Sequence, residues 1–535
     1  MTKLQKFVMN ALVLAVSTLV MRTVGVAFNA YISSKIGAEG MGLFTLVMSV
    51  YGFAVTLATS GIGLATMRLV ADALGKDDIG LRRAYLRRCL LYAAFFGGLS
   101  ALLVGVFSRP IGENLLGDAR TVPSLRLFSF SLLPMAFSGV FCGYFNAMRR
   151  SARNAAAQIF DQTVQIFLTV FLLTLLLPKG LEYACIALVL GGTISEILSC
   201  LFLFAEYEID IHKEKIKTCE MHKCDVNSNR KGLLHKLICI SMPVAFSAYV
   251  RSGLVTVEHV LIPRCLFRSG QSKEEALSSY GALHGMAIPI LLYPAAILSS
   301  FTGLLLPETA ESLSRGEKRR IRYITERALS FAFFFSVTAA GAMFLLADEL
   351  GALIYHNSEV SFYVMCLVPL VPVMYLDTTV DNILKGIGEQ FYCMCVNVAD
   401  AAASVILVLI FLPKYGAVGY VAVLLISEVF NFSLSIARLY RRVHFSFGLF
   451  RDFLLPLLLT VASVLCSSLV FAPFAMTAGN SLLKCGLFFL LSLLFYVGFG
   501  VLGRERRDFL LRAWPLRGKK SGSDVPPLDK AHNIM

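Results

Sequence analysis

LLLPKG at residues 175–180 and FLPKYG at residues 411–416 are one turn written twice. The same landmarks surround both copies in the same order. A proline inside an apolar stretch comes first, Pro134 or Pro372, then an aspartate, Asp161 or Asp400; after the turn comes Ile-Ser-Glu, at Ile194, Ser195 and Glu196 or at Ile426, Ser427 and Glu428. Residues 134–204 therefore overlay residues 372–436. ADALGKDDIGLRRAYLRR at 71–88 resembles PETAESLSRGEKRRIRYITER at 307–327 more loosely. Self-similarity on this scale marks a duplicated architecture.

Working outward from the turns, apolar stretches fill nearly the whole chain. Of its 535 residues 57% are hydrophobic and 16% charged, which excludes an ordinary soluble globule. A membrane-crossing helix needs about 20 apolar residues, and fourteen such segments can be read, at 7–31, 41–66, 86–108, 121–147, 155–177, 183–206, 237–262, 281–306, 328–355, 360–386, 391–412, 416–437, 452–472 and 481–503. The expected fold is an all-α polytopic membrane protein with 14 transmembrane helices. Residues 1–206 and 237–438 form two six-helix repeats, joined by a polar, flexible cytoplasmic segment at 207–236 and followed by two further helices within 439–503 and a tail at 504–535. Six is even, so the repeats enter the membrane from the same side and are parallel. Transporters of that design hold substrate between their halves near the midplane.

The net charge of +14 could suggest nucleic acid, but its distribution follows a membrane rule. With the N-terminus inside, 36 Lys and Arg fall on inner segments and 10 on outer ones, leaving Arg22, Arg68 and Arg251 in or at the edge of spans. Both termini are therefore expected in the cytoplasm. Most of the 13 cysteines are scattered singly through apolar runs, where cysteine packs as a small hydrophobe. CEMHKC brings Cys219, His222 and Cys224 together without a recognised zinc spacing, and no metal or cofactor is expected.

The informative residues are charges placed where lipid should be. Arg22 lies fifteen residues beyond Phe7 and Arg251 fifteen beyond Lys236, so at about 1.5 Å per residue both sit deep in the first span of their repeat. A central arginine costs about 2.5–3.5 kcal/mol unless water, an acid or a ligand faces it. One reading pairs Arg22 with Glu258 across the interface. The other has both guanidiniums gripping an anion, since arginine binds phosphate bidentately and keeps its proton. Asp377, Asp381 and Lys385 form one polar stripe on span 10, either a proton or cation site or a solvated helix end, and Glu258 joins them as a candidate for ion coupling. Glu196 and Glu428 read as structural hydrogen-bonding groups. Pro289, Pro294, Pro369 and Pro372 are expected to kink spans 8 and 10.

With these residues on the page, RTVGVAFNAYISSKIGAEGMGLFTLVMSVYGFAVTLATSGIGLATMRLVADALGKDD at 22–78 resembles the multidrug/oligosaccharidyl-lipid/polysaccharide exporter superfamily. Within it, the chain is similar to the polysaccharide-transporter branch that contains stage V sporulation protein B and the MurJ-type lipid II flippases. The resemblance implies a V-shaped, two-lobed, non-enzymatic transporter in a bacterial plasma membrane. It would move an undecaprenyl-pyrophosphate-linked sugar, lipid II or a polysaccharide precursor, by alternating access. It also implies that Arg22, Arg251 and, more weakly, Arg68 hold the pyrophosphate, with H+ or Na+ as a possible coupling ion and the last two spans forming a groove for the lipid tail. A cation-coupled multidrug or metabolite exporter of the same fold is the alternative, with a membrane glycosyltransferase or polymerase behind it.

The topology carries its own test. An impermeant thiol reagent applied to intact cells should leave Cys219 and Cys224 unlabelled, and labelling of either would invert the orientation.

Overall fold

The structure, a computed structural model, describes residues 3–76, 78–218, 233–355, 357–446, 448–473 and 477–499. No strand occurs among them. The first half contains α1 (Lys3–Thr59), α2 (Ile62–Gly75), α3 (Ile79–Val106), α4 (Val122–Ala147), α5 (Ser151–Leu176) and α6 (Leu181–Thr218). The second holds α7 (Leu233–Arg268), α8 (Lys273–Tyr280), α9 (Ile288–Leu292), α10 (Ala295–Ser314), α11 (Lys318–Leu345), α12 (Ala347–Glu349), α13 (Ser358–Leu367), α14 (Val371–Gly386) and α15 (Gln390–Val443), with α16 (Leu455–Phe471) and α17 (Ala478–Gly498) after it. A π-helical turn, Gly281–Ala287, joins α8 to α9.

Lipid offers no hydrogen bonds to backbone amides, so spanning segments become helices. All fourteen predicted segments are helical over most of their described residues. By length and hydropathy, ten helices among those residues could cross a membrane, or eleven when the bent pair Lys273–Leu292 and Ala295–Ser314 counts as one. Two of the ten, Val20–Gly75 and Gln390–Val443, run through breaks at Gly37 and Gly416. Gly37 lies in the predicted turn between the first two spans. Gly180 and Gly416 close the two copies of the repeated turn, with φ of 124° and 58°, where a side chain would be strained. Prolines act as expected: Pro294 marks a 49° bend between α9 and α10, Pro369 lies in a short 3₁₀ turn, and Pro372 opens α14. The last two helices dock on α11 and α12, where Tyr496 meets Thr338 of α11 at 3.1 Å and Lys484 pairs with Glu349 of α12 at 2.7 Å.

The expected flexible linker needs a correction. α6 runs unbroken to Thr218 and α7 already begins at Leu233, so both ends of the 207–236 segment are helical. The apolar run stops near residue 206, but the Glu- and Lys-rich residues that follow are good helix formers in water. Cys219, His222 and Cys224 lie outside the described residues.

The helical extension of α6 carries a buried anchor. Asp210, 2% exposed, pairs with Arg150 and, at 3.2 Å, with Arg153, while the Tyr144 hydroxyl donates to it at 3.3 Å. The offset that aligns Asp161 with Asp400 carries Arg150 to Glu389. The offset that aligns Ser195 with Ser427 carries Asp210 to Arg442. Glu389 and Arg442 are indeed paired, at 2.5 Å, with Arg438 beside them at 2.8 Å. The repeats thus keep one ion pair and reverse its polarity. The Arg438 hydrogen bonds, with the charges of Arg438 and Arg442, hold the Glu389 carboxyl below its ordinary range. That contribution is present above the unfolded value of about 4.3 and fades as pH falls through the lower folded value.

Burial should separate the two anchors. Asp210→Asn removes the buried acceptor shared by Arg150, Arg153 and Tyr144 and should cost about 1–3 kcal/mol of stability. Glu389→Gln, nearer water, should cost about 1 kcal/mol or less. Thermal unfolding of the two purified variants measures the difference, and equal losses would show that burial does not set the cost.

Candidate functional site: the seam between the halves

The halves meet where α1 and α2 face α7 and the α8–α10 region. Residues 49–61 run antiparallel to residues 241–256 of α7. The Thr256 hydroxyl donates to the Ser49 carbonyl at 3.0 Å, Thr56 meets Ser252 at 3.2 Å, and Ser60 meets Tyr249. At the Gly61 end, Ser241 donates to Tyr92 at 3.2 Å. Across the other side of the interface, Thr23 meets Tyr293 at 3.0 Å, beside the Pro294 bend.

Near Gly37 the approach is backbone on backbone. A Cβ on Gly281 would lie 2.0 Å from the Ala38 carbonyl oxygen, and one on Gly42 would lie 2.1 Å from the Leu277 carbonyl oxygen. Neither position tolerates a side chain without moving the halves apart. The seam is therefore closed at the Gly37 end as well as along α7.

Both deep arginines adjoin this seam in sequence. Arg22 precedes Thr23, and Arg251 precedes Ser252. Both are exposed. Gln162, next to Asp161, donates to the Met21 carbonyl at 3.0 Å, and Arg251 lies close enough to Asp400 to act on its carboxylate. Each arginine thus stands at the level of its own repeat's aspartate. Ser427 donates to Asp400 at 2.5 Å, and Ser195 faces Asp161 in the first half. Arg68, on α2, is also exposed, and neither it nor Arg22 has an ion-pair partner among the described residues.

The Arg22–Glu258 pair does not form. Glu258 instead accepts from Ser404 at 2.6 Å, with the Tyr420 hydroxyl 3.5 Å away. Asp400 stands near it, Glu428 lies near both Asp400 and Asp377, and Asp381 is paired with Lys385 at 3.1 Å. Asn431 lies 3.5 Å from Asp377. The predicted stripe on α14 therefore exists, but Asp400 and Glu428 stand between it and Glu258. In the first half, Glu196 accepts from Ser138 at 3.1 Å.

Sequence reasoning passed over His259, Tyr280, His284 and Tyr420. His259 meets Tyr280 at 2.8 Å, His284 meets Tyr420 at 2.5 Å, and the two imidazole centroids are 4.6 Å apart. The rule that singled out the arginines, that ionisable groups within spans are costly and so have a role, applies equally to two histidines within predicted spans.

The polysaccharide biosynthesis protein family matches residues 7–310. The chain belongs to that family. It is similar to stage V sporulation protein B of Bacillus subtilis (strain 168), 25% identical over 78% of this chain and 80% of the relative. Lipid II flippase MurJ of the same organism is 20% identical over 73% of this chain and 74% of the relative. Among solved structures, lipid II flippase MurJ in an inward closed conformation matches with a TM-score of 0.70 at 15% identity, covering 93% of this chain and all of that one (100%). An inward-facing multidrug resistance MATE family transporter matches with a TM-score of 0.59 at 13% identity, over 80% of this chain and 98% of that one. The family member is accordingly a multi-pass membrane transporter of the flippase branch of the exporter superfamily, not an enzyme.

The glycine contact can be tested directly. Gly281→Val should expose a cysteine placed at Met41, now 2% exposed, to a water-soluble thiol reagent in a background lacking the native cysteines. Gly303→Val should not, because its Cβ has open space around it. Equal labelling in both variants would mean that the contact does not hold the seam closed.

Proposed function

We propose that this chain flips an undecaprenyl-pyrophosphate-linked sugar from the inner to the outer leaflet of a bacterial plasma membrane. Twelve of its fourteen spans form two six-helix lobes, the last two follow them, both termini are cytoplasmic, and access alternates across the seam. What supports this reading is the pair of exposed arginines, Arg22 and Arg251, one on the first helix of each repeat and each next in sequence to a residue that touches the other half. Two guanidinium forks can share one pyrophosphate, the group common to all such lipids, while reading the sugar loosely. Arg68 adds a third cation on α2. The similarity to stage V sporulation protein B and to a lipid II flippase supports a lipid-linked substrate, in sporulation or in peptidoglycan and other cell-wall polysaccharide synthesis.

Reconstitution into liposomes with a fluorescent pyrophosphate-linked lipid tests it by leaflet exchange. Arg22→Ala and Arg251→Ala should each slow exchange about ten-fold or more, the loss of a charged hydrogen-bond pair, without changing thermal stability. Arg22→Lys should recover little, because it keeps the charge and loses the fork. Wild-type exchange rates in both alanine variants would exclude the pyrophosphate role.

A further inference from the structure

The turn Gly281–Ala287 has two working faces. Gly281 lies on Ala38 and Gly42, and Gly285 on Met41 and Thr45, all from α1. One residue away, Tyr280 and His284 point to the opposite side, into a polar cluster with α7 and α15. There His284 contacts Tyr420, whose hydroxyl also faces Glu258, and His259 contacts Tyr280. Tyr280 is 1% and Tyr420 2% exposed. Wide π-turns inside helices recur at functional sites, because the extra residue redirects side chains without orphaning the backbone.

The hydrogen bonds form a relay. When His284 is neutral, its Nε2 can accept from the Tyr420 hydroxyl. When His284 carries a second proton, Nε2–H donates to the Tyr420 oxygen and the Tyr420 hydroxyl donates to Glu258. One proton added to the imidazole is then balanced by the carboxylate through a single tyrosine, so no isolated charge is created in the dry site. Glu258 and His259 come from α7, and Tyr420 from α15, with Asp400 beyond Glu258 and Arg251 acting on Asp400. Tyr363 of α13 bonds Ser279 nearby, and α1 contributes Met41 and Thr45 on the far face.

We propose that His259, His284, Tyr420 and Glu258 form a proton-binding site whose occupancy loosens the Gly281–Gly42 contact and couples transport to an inward proton gradient. This rests on the transporter reading above and names its coupling ion. Proton uptake turns the His284–Tyr420 bond around and draws the imidazole towards Glu258, and the rigid turn carries that shift to its glycine face.

The test needs no substrate. Spin labels at Ser34→Cys and Lys273→Cys, both exposed and on opposite halves near Gly37, report the seam in the full chain lacking its native cysteines. Lowering pH from about 8 to about 4, through and beyond the range in which an ordinary imidazole takes up a proton, should lengthen the distance. The H259Q/H284Q double variant should show no response. Tyr420→Phe, which keeps the packing and removes only the hydroxyl, should weaken it. An unchanged response in the double variant, or none in the wild type, overturns the proposal. In liposomes an inward proton gradient should speed lipid exchange roughly 5-fold or more, and Tyr420→Phe should lose that stimulation. If the seam responds to pH while no pyrophosphate lipid is exchanged, the flippase reading fails and the proton site stands. If exchange proceeds with neither response, the proton site fails alone.

Discussion

Every change of direction in this chain is governed by the need to keep backbone hydrogen bonds satisfied in lipid. A helix can end or turn there only where the freed carbonyls and amides find partners, and left-handed glycines allow this in few residues. Gly37 and Gly416 each turn one continuous helix back on itself, and Gly61 separates α1 from α2. The reversal at Gly37 is what lets residues 49–61 run against α7. The seam therefore follows from where the backbone can break, and the side chains along it were fitted to that path.

The cost of each buried charge has been met differently in the two repeats. Acids of the second half lie in a row from Glu258 through Asp400 and Glu428 to Asp377, with serine, asparagine and tyrosine partners and one lysine. In the first half, Asp161 and Glu196 are what correspond. An anion approaching the seam meets the full field of Arg22, whereas the field of Arg251 is partly offset by Asp400. The pair is therefore unequal in strength.

Much of this architecture was legible because it was written twice. The LPKG and LPKYG turns, the paired aspartates and the Ser-Glu pairs gave the helical repeat, and the Asp400–Ser427 contact joins two landmarks far apart in sequence. The ion pair of Arg150 with Asp210 and of Glu389 with Arg442 escaped notice for the same reason in reverse: identity marks a repeat, and a pair with exchanged charges leaves no matching letters. The histidine cluster was hidden because His259, His284 and Tyr420 come from three separate elements, and each alone looks like one polar residue in an apolar run. The helical ends of the 207–236 segment were missed because hydropathy reports where the membrane stops, which is not where a helix must stop.

A seam that has to open repeatedly cannot be held strongly. Along α7 it is closed by hydroxyl contacts such as Thr256 to Ser49 and Thr56 to Ser252, each worth about 0.5–1.5 kcal/mol net, since water replaces either partner when they part. At Gly281 and Gly42 the backbones meet directly, with the Met41 side chain on Gly285 and Leu277 beside Gly42, so parting the halves there uncovers apolar packing as well as backbone. The ion pairs of Asp210 and of Glu389 each lie within one half, where they stiffen it, while across the seam Arg264 of α7 donates to the backbone carbonyls of Asn114 and Leu115. Strong interactions inside each half and exchangeable ones between them are what a rocking motion requires: two bodies that keep their shape and a contact whose closed and open states differ by little enough for a ligand to choose between them.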